Sequence, residues 1–487
     1  MIQFKNIVGG KAAEANESFE SFDPYTGKPW ALIPKDGPAE VDAAVQTAKA
    51  AFKGEWRTIT ATARGKLMVK LADLIARDAQ KLAEIETRDN GKLISEMAAQ
   101  VGYLQEWYRY FGGLCDKIEG RVLPIDKLNM FAYTKQEPLG VVAAIVPWNS
   151  PLLLLAWKLA PILAAGNTCV IKPAEHAAAS TLEFAKLFEE AGFPPGVINT
   201  VTGMPLEVGA PLAEHPDVAK IAFTGGEAGG LAVYGAAAKN LKTVTLELGG
   251  KSANIVFADA DVDNAVKGAI SGIFAASGQT CIAGSRLLVH RSIHDRVVEG
   301  VVDLAKTAKM GNPALNDTQV GPVTTLPHRE KILGYMDIAR GEGAQPALGG
   351  GTPDDMGDGW FVEPTIFTGV NNKMRIAQEE VFGPILSVIP FDDEDEAFAV
   401  ANDSPYGLAA GVWTQNIGRT YRAADALEAG TVWINTYRAV SFMAPFGGYK
   451  RSGIGRESGQ EAINAYLQTK TVWIDALGET ANPFIIR

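Results

Sequence analysis

The sequence predicts an α/β protein with two parallel-sheet regions and a helical flank, and three observations carry that prediction. From Gly140 onward, short apolar runs alternate with helical patterns, which is the signature of a parallel sheet covered on both faces. The chain has 487 residues, too many for one ordinary core. Such a length corresponds to roughly three domain-sized units. Hydrophobic residues make up 47% and glycine occurs 51 times, which fits a compact fold with many tight turns.

Residues 38–118 carry long helical periodicity, broken near Gly54 and at Asp89-Asn90-Gly91. Strands are expected at 141–146, 167–171, 197–201, 219–223 and 243–247. The apolar stretch 152–165 is too short to span a bilayer and contains Lys158 and Pro161, so it reads as a buried helix. Ligands of parallel sheets bind beyond the carboxyl ends of the strands. Those ends carry Pro147-Trp148-Asn149, Lys172 to Glu175, Thr224-Gly225-Gly226 and Glu247. A second α/β region runs to about Tyr449, with strands expected at 253–257, 287–290, 385–389, 410–413 and 430–434. Segments 121–137 and 467–475 alternate apolar and polar residues outside both patterns and are expected to pair as a small sheet.

A formal net charge of -11 argues against a nucleic-acid footprint and against an affinity for anionic membranes. The three cysteines, Cys115, Cys169 and Cys281, are far apart, which argues against a disulfide framework and for a reducing compartment. With no apolar N-terminal run of signal-peptide length, the expected location is the cytoplasm. The five histidines lack metal-ligand spacing. Asp259, Asp261 and Asp263 lack the later glycine and glutamate of a calcium loop and are expected to cap the following helix. No metal site is expected.

Cys281 stands in Gly278-Gln279-Thr280-Cys281, a polar, turn-like run between a helical pattern at 262–276 and a strand. Cysteine usually packs as a small buried hydrophobe, but this context points to a nucleophile. A free thiol is only slightly ionised near pH 7, so a nucleophilic one needs local help, of which a helix N-terminus is one source. Glu247 closes an apolar strand, where burial should raise its pKa and suit it to act as a base near neutrality.

The combination of Pro147-Trp-Asn-Ser-Pro151, Leu246-Glu-Leu-Gly-Gly-Lys251, Gly278-Gln-Thr-Cys281, Glu379-Glu-Val-Phe-Gly-Pro384 and Pro445-Phe-Gly-Gly-Tyr-Lys450 resembles the NAD(P)-dependent aldehyde dehydrogenase superfamily. The likeness runs in order over nearly the whole chain. It implies a Rossmann-like NAD-binding domain (1–120 and 139–249), an α/β catalytic domain (250–449) and a small β oligomerisation element (121–138 and 467–487). It further implies that Cys281 attacks an aldehyde to give a thiohemiacetal, with Asn149 and the Cys281 backbone N–H stabilising the oxyanion. Hydride transfer to a nicotinamide would leave a thioester, which Glu247 hydrolyses as general base. Glu457 is implied as a proton relay, with Lys158 beside it.

By the same resemblance, Ile145, Trp148, Lys172 and Glu175 contact the cofactor, and a glutamate against the adenosine ribose favours NAD over NADP. Gly225, Gly226 and Gly230 occupy the pyrophosphate turn, where Gly226 replaces a frequent serine and Glu227 and Gly229 change the succeeding turn. Glu380 and Phe382 match the residues at the nicotinamide ribose and ring. The aldehyde channel would be approached by Ser150, Leu153, Trp157, Ala275, Thr280, Ile282, Arg438, Val440 and Phe446. Several relatives carry aromatics at the positions of Ser150, Ala275 and Val440, so a wider channel is expected. Arg438 is unusual and, if it faces inward, fits a substrate carboxylate. The implied substrate is a medium or bulky aldehyde, aromatic or carboxylated, and the implied assembly is a homodimer or homotetramer. A relative that passes its acyl group to coenzyme A would not need Glu247, and a non-catalytic member would have lost a chemical residue.

Overall fold

The computed structural model describes residues 1–478 and 482–485. Each expected strand of the first region forms: β1 (Val141–Ile145), β2 (Thr168–Lys172), β3 (Ile198–Thr200), β4 (Val218–Thr224) and β5 (Thr243–Glu247). They pair in parallel in the order β3-β2-β1-β4-β5. The central strand β1 has later strands on both sides. The crevice between the carboxyl ends of β1 and β4 is therefore a topological switch point, where such sheets receive ligands.

The second sheet contains β6 (Ala253–Val256), β7 (Arg286–His290), β8 (Gln345–Leu348), β9 (Thr365–Thr368), β10 (Ile385–Phe391), β11 (Ala409–Trp413) and β12 (Thr431–Ile434). Its order is β8-β9-β10-β7-β6-β11-β12, parallel except for the β8 edge. Two of its strands, β8 and β9, are absent from the sequence-based expectation. Residues 345–348 are almost all exposed, so β8 shows no apolar run to find. A short strand, β13 (Gly453–Ile454), then returns to the first sheet and pairs antiparallel with the carboxyl end of β5.

The helical flank consists mainly of α1 (Ala61–Asn90) and α2 (Ile94–Leu114). Gly91, in the left-handed region at φ 79°, ends the first. The stretch with Lys158 and Pro161 is α3 (Pro151–Ala164), buried along nearly its whole length. Proline inside a helix removes a backbone donor, and here the surrounding core holds the segment helical. Three N-terminal strands, Ile2–Gln3, Ser18–Asp23 and Lys28–Pro34, form a further sheet not anticipated from the sequence.

Helix α4 (Glu227–Ala238) begins directly after β4. The helical pattern at 262–276 is cut short: α5 spans Val262–Ile273, with Asp261 capping it through Asn264 N. Met130–Pro138 pairs antiparallel with Leu467–Asp475 along its full length, with Val122–Leu123 on the other side. Of the expected oligomerisation element at 467–487, residues 479–481 and 486–487 lie outside the described residues.

Candidate active site

A cavity of about 860 Å³ opens at the carboxyl ends of β1, β2 and β4. It is lined by Ile145, Trp148, Asn149, Lys172, Glu175, Gly225, Gly226, Cys281, Glu380 and Phe382, which come from segments spread over nearly half of the chain. Gly230 is the cofactor-site expectation that does not line it. That residue packs against Leu248, whose side chain would lie 2.5 Å from an added Cβ, while Gly229 faces the cavity instead. Residues 226–230 form the first turn of α4, so a shift of one residue turns a position from the cavity to the core.

Lys172 and Glu175 stand 3.5 Å apart across a turn at the end of β2. Both line the cavity, and burial lowers the Lys172 pKa. Gly226 has nothing within 4 Å of an added Cβ, and the N-terminus of α4 opens behind it. Free backbone N–H groups and the helix dipole there suit a phosphate. A Lys–Glu pair, an open helix N-terminus and an apolar wall along one cavity together fit a dinucleotide. At the far end, Glu380 Oε1 accepts from Gly250 N at 2.9 Å. A side chain at Gly249 would collide with that carboxylate, and one at Gly250 would come within 2.6 Å of the Cys281 carbonyl. The paired glycines of the Glu247 motif are thus required for close approach.

Phe382 adopts φ 63° and is held there by His328, whose Nε2 donates to the Phe382 carbonyl at 2.7 Å. Trp148 packs edge-on against both rings at 5.4 Å. Burial lowers the His328 pKa to about 4, so the ring is neutral. His328 and Lys331 line the cavity but were missed from the sequence, since Thr325-Leu-Pro-His328 carries only the signal of a helix start.

Cys281 follows three consecutive residues in the left-handed region, Ala276, Ser277 and Gly278. Strain of this kind costs about 1–3 kcal/mol for each non-glycine residue and clusters at functional sites. Glu96 Oε1 accepts from Ala276 N and Ser277 Oγ donates to the Gly321 carbonyl, each at 2.8 Å, fixing the bend. No helix begins at Cys281, which rules out a helix N-terminus as the source of thiol activation. Instead burial pushes the thiol up to about 12, with the charges of Glu380 and Glu247 acting in the same direction. Asn149 Nδ2 donates to the Gln279 carbonyl at 2.9 Å, which leaves its second amide hydrogen available beside Cys281.

Glu247 is buried at the end of β5, and neither carboxylate oxygen has a hydrogen-bond partner. Its pKa is raised well above the ordinary value, first by burial and then by Glu457. Gly447, in the motif that follows β12, must lack a side chain because an added Cβ would lie 2.7 Å from Glu247 Oε1. Lys158 forms a buried ion pair with Glu457 and donates to Thr224 Oγ1 at 2.5 Å.

The chain matches the Aldehyde dehydrogenase family over residues 11–472. The chain belongs to the aldehyde dehydrogenase family. It is accordingly an oxidoreductase acting on aldehydes, with the family's α/β fold. Among its relatives, the (Z)-2-((N-methylformamido)methylene)-5-hydroxybutyrolactone dehydrogenase of Acinetobacter baylyi is 48% identical over 100% of both chains. An aldehyde dehydrogenase from Bacillus cereus, solved in complex with NAD+, superimposes with a TM-score of 0.95 at 43% identity, covering 97% of this chain and 96% of that one. A betaine aldehyde dehydrogenase from Staphylococcus aureus, also solved with NAD+, gives 0.97 at 40% identity over 99% of this chain and 97% of that one.

The residues expected along an aldehyde channel lie outside the large cavity. Trp157 packs on Phe446 at 4.9 Å and stacks on Trp107 at 6.1 Å. Ser150 Oγ accepts from the buried Lys92 ammonium at 2.8 Å, and the Ile282 carbonyl accepts from the Tyr437 hydroxyl. Leu153 and Val440 are half-buried against the core. Thr280 Oγ1 and Trp157 Nε1 are buried without partners. Arg438 has φ 66°, and its Nη1 donates to the carbonyls of Ser271 and Ala275, each at 3.2 Å. Among the described residues, no carboxylate lies within ion-pair distance of Arg438 or Lys92.

Proposed function

We propose that this member of the family oxidises an aldehyde bearing a carboxylate to the corresponding acid, with NAD as hydride acceptor and water as acyl acceptor. The observation that carries the substrate class is Arg438: a half-buried guanidinium on the Cys281 side of the fold, bonded only to backbone carbonyls, retains donors for an incoming carboxylate. Lys92, behind Ser150, adds a second cation to that region. The Acinetobacter relative's named substrate, a 5-hydroxybutyrolactone, supports this reading. Such a lactone is chemically the ring-closed form of a 4-oxo acid, an aldehyde carrying a carboxylate.

Cys281 Sγ attacks the aldehyde carbon, and Asn149 with the Cys281 N–H holds the resulting oxyanion of the thiohemiacetal. NAD bound in the cavity would supply the hydride acceptor. Lys172 and Glu175 hold its adenosine ribose, Gly225 and Gly226 approach the pyrophosphate, and Glu380 and Phe382 stand at the nicotinamide end. Glu247 then takes a proton from water as it attacks the thioester, and Glu457 with Lys158 receives that proton. Glu247 also favours water over coenzyme A as acceptor. The exposed Phe131, Trp473 and Ile474 support reading the three-stranded sheet as the surface where copies associate.

NADH formation at 340 nm across aliphatic, aromatic and carboxylated aldehydes tests the reading. Arg438→Ala should lower kcat/KM for carboxylated aldehydes by at least ten-fold and leave neutral ones within about two-fold, matching the roughly 1.5–3 kcal/mol of a charge-assisted hydrogen bond. Equal effects on both classes would remove the carboxylate part. Glu175→Gln should shift the NAD-to-NADP ratio of kcat/KM at least ten-fold toward NADP, because it removes the charge facing a 2′-phosphate. An unchanged ratio would overturn the role of Glu175.

A further inference from the structure

Behind Glu247 the first sheet carries a polar stripe that the aldehyde chemistry leaves unused. β4 and β5 pair with Lys220 opposite Thr243, Ala222 opposite Thr245 and Thr224 opposite Glu247. Because side chains alternate along a strand, Lys220 and Thr224 share a face with Thr243, Thr245 and Glu247. The buried faces of parallel sheets are normally apolar. Here Lys220 is only 2% exposed, and its Nζ donates to Thr245 Oγ1 at 2.7 Å. The same ammonium stands 5.1 Å from the centre of the Tyr466 ring. Its charge faces Glu457 and Lys158.

Around it, both Glu247 oxygens, Glu457 Oε2 and the Tyr466 hydroxyl are buried without partners. A buried polar atom left unpaired is costly, so four in one cluster call for a function. The same face of the strand reaches the protein surface. Thr245 is buried, but Thr243, one step further along the same face, is exposed at the amino end of β5. That end is opposite the cavity, which gathers at the carboxyl ends of the strands.

We propose that Lys220 and Thr245 carry the proton of thioester hydrolysis from Glu247 and Glu457 to solvent beside Thr243, away from the substrate and cofactor cavity. The proposal rests on the reading of Glu247 as the hydrolytic base. Water adds its hydroxyl to the acyl carbon and gives one proton to Glu247, while the carbon–sulfur bond breaks with its electron pair on Sγ. Glu247 passes that proton to Glu457. Lys220 releases one proton through the Thr245 hydroxyl and takes one from Glu457, so one proton and no electrons cross the relay and both carboxylates end ionised.

The acidity of Lys220 suits such exchange, since burial brings it to about 8. The titratable groups facing it are Glu457 from the loop after β13, Lys158 from α3, and Tyr466. Tyr466 in turn faces Glu247 and Cys169 of β2. Lys220 acts through Glu457 and is a positioning residue for the hydrolysis.

The test uses the full chain with NAD and an aldehyde that it turns over. Steady-state rates and the intact mass of chain quenched during turnover are measured for Lys220→Met, Lys220→Arg and Thr245→Val. Lys220→Met and Thr245→Val should lose at least ten-fold in kcat with KM within two-fold, and most quenched chains should carry an acyl adduct on Cys281. Lys220→Arg should also be slow, because a guanidinium keeps the charge but does not give up its proton. Unchanged kcat without adduct, or full recovery in Lys220→Arg, overturns the relay and leaves Lys220 a structural cation. If the Lys220 variants do not fold, Thr245→Val decides by the same two readouts. No turnover by the unmodified chain on any aldehyde overturns the hydrolytic reading and the relay with it.

Discussion

Cys281→Ala is expected to abolish NADH formation on every aldehyde, by at least about 10⁴-fold, because it removes the covalent route rather than one stabilising contact. Quenched chains should carry no acyl adduct. The fold should survive, because Cys281 faces the cavity and its strained approach is held by Glu96, Ser277 and Gly321 rather than by the thiol. The same geometry predicts how the unmodified thiol behaves. Burial together with Glu380 and Glu247 disfavours its charged form and pushes it up to about 12. In the protein without cofactor or substrate, alkylation by iodoacetamide should therefore be slow at pH 7. Only the thiolate reacts, so the rate should rise about ten-fold per pH unit below that value. Residual turnover in the alanine variant would remove Cys281 from the reaction, and fast, pH-independent alkylation would overturn the raised thiol pKa.

Glu247→Gln should separate the two halves of the reaction. The amide cannot accept a proton, so acylation and the first NADH are retained while steady-state turnover falls by about 10²–10⁴-fold, the range of general-base catalysis. Intact mass should show the acyl adduct on most chains. The pH dependence follows from burial and the Glu457 charge, which raise the Glu247 pKa. The base works only when ionised, and its ionised form appears only above that raised value. Steady-state turnover should accordingly climb with pH well beyond the range where an ordinary carboxylate has finished titrating, and Glu247→Gln should lose that climb. A glutamine variant that turns over normally, or a profile flat from pH 5 upward, would remove Glu247 as the base.

Strands β1 to β7 and β10 to β12, the buried helix α3 and the turns bearing Asn149, Glu247 and Cys281 were legible from the chain alone. Their cause is local: short continuous apolar runs select buried strands, helical periodicity selects helices, and glycine-bounded polar runs end them. The likeness to a known family then rested on motif order, which needs no third dimension. The edge strand β8 was illegible because an exposed strand has no apolar face to reveal it. Gly230 packs on Leu248 rather than lining the cavity because one residue of phase on α4 separates cavity from core.

The partners of the charged groups were decided only by the tertiary structure. Within α3, Lys158 is a lone cation in an apolar run, and nothing near it in sequence shows that its carboxylate lies 299 residues away at Glu457. Lys92 meets Ser150 across 58 residues, Phe382 is bent by His328 across 54, and Lys220 faces Glu457 from another strand. Arg438 needed its backbone conformation known before its side chain could be placed. Sequence pattern reports which face of an element is buried. It does not report which distant charge shares that burial, and in a low-dielectric interior that pairing sets the chemistry.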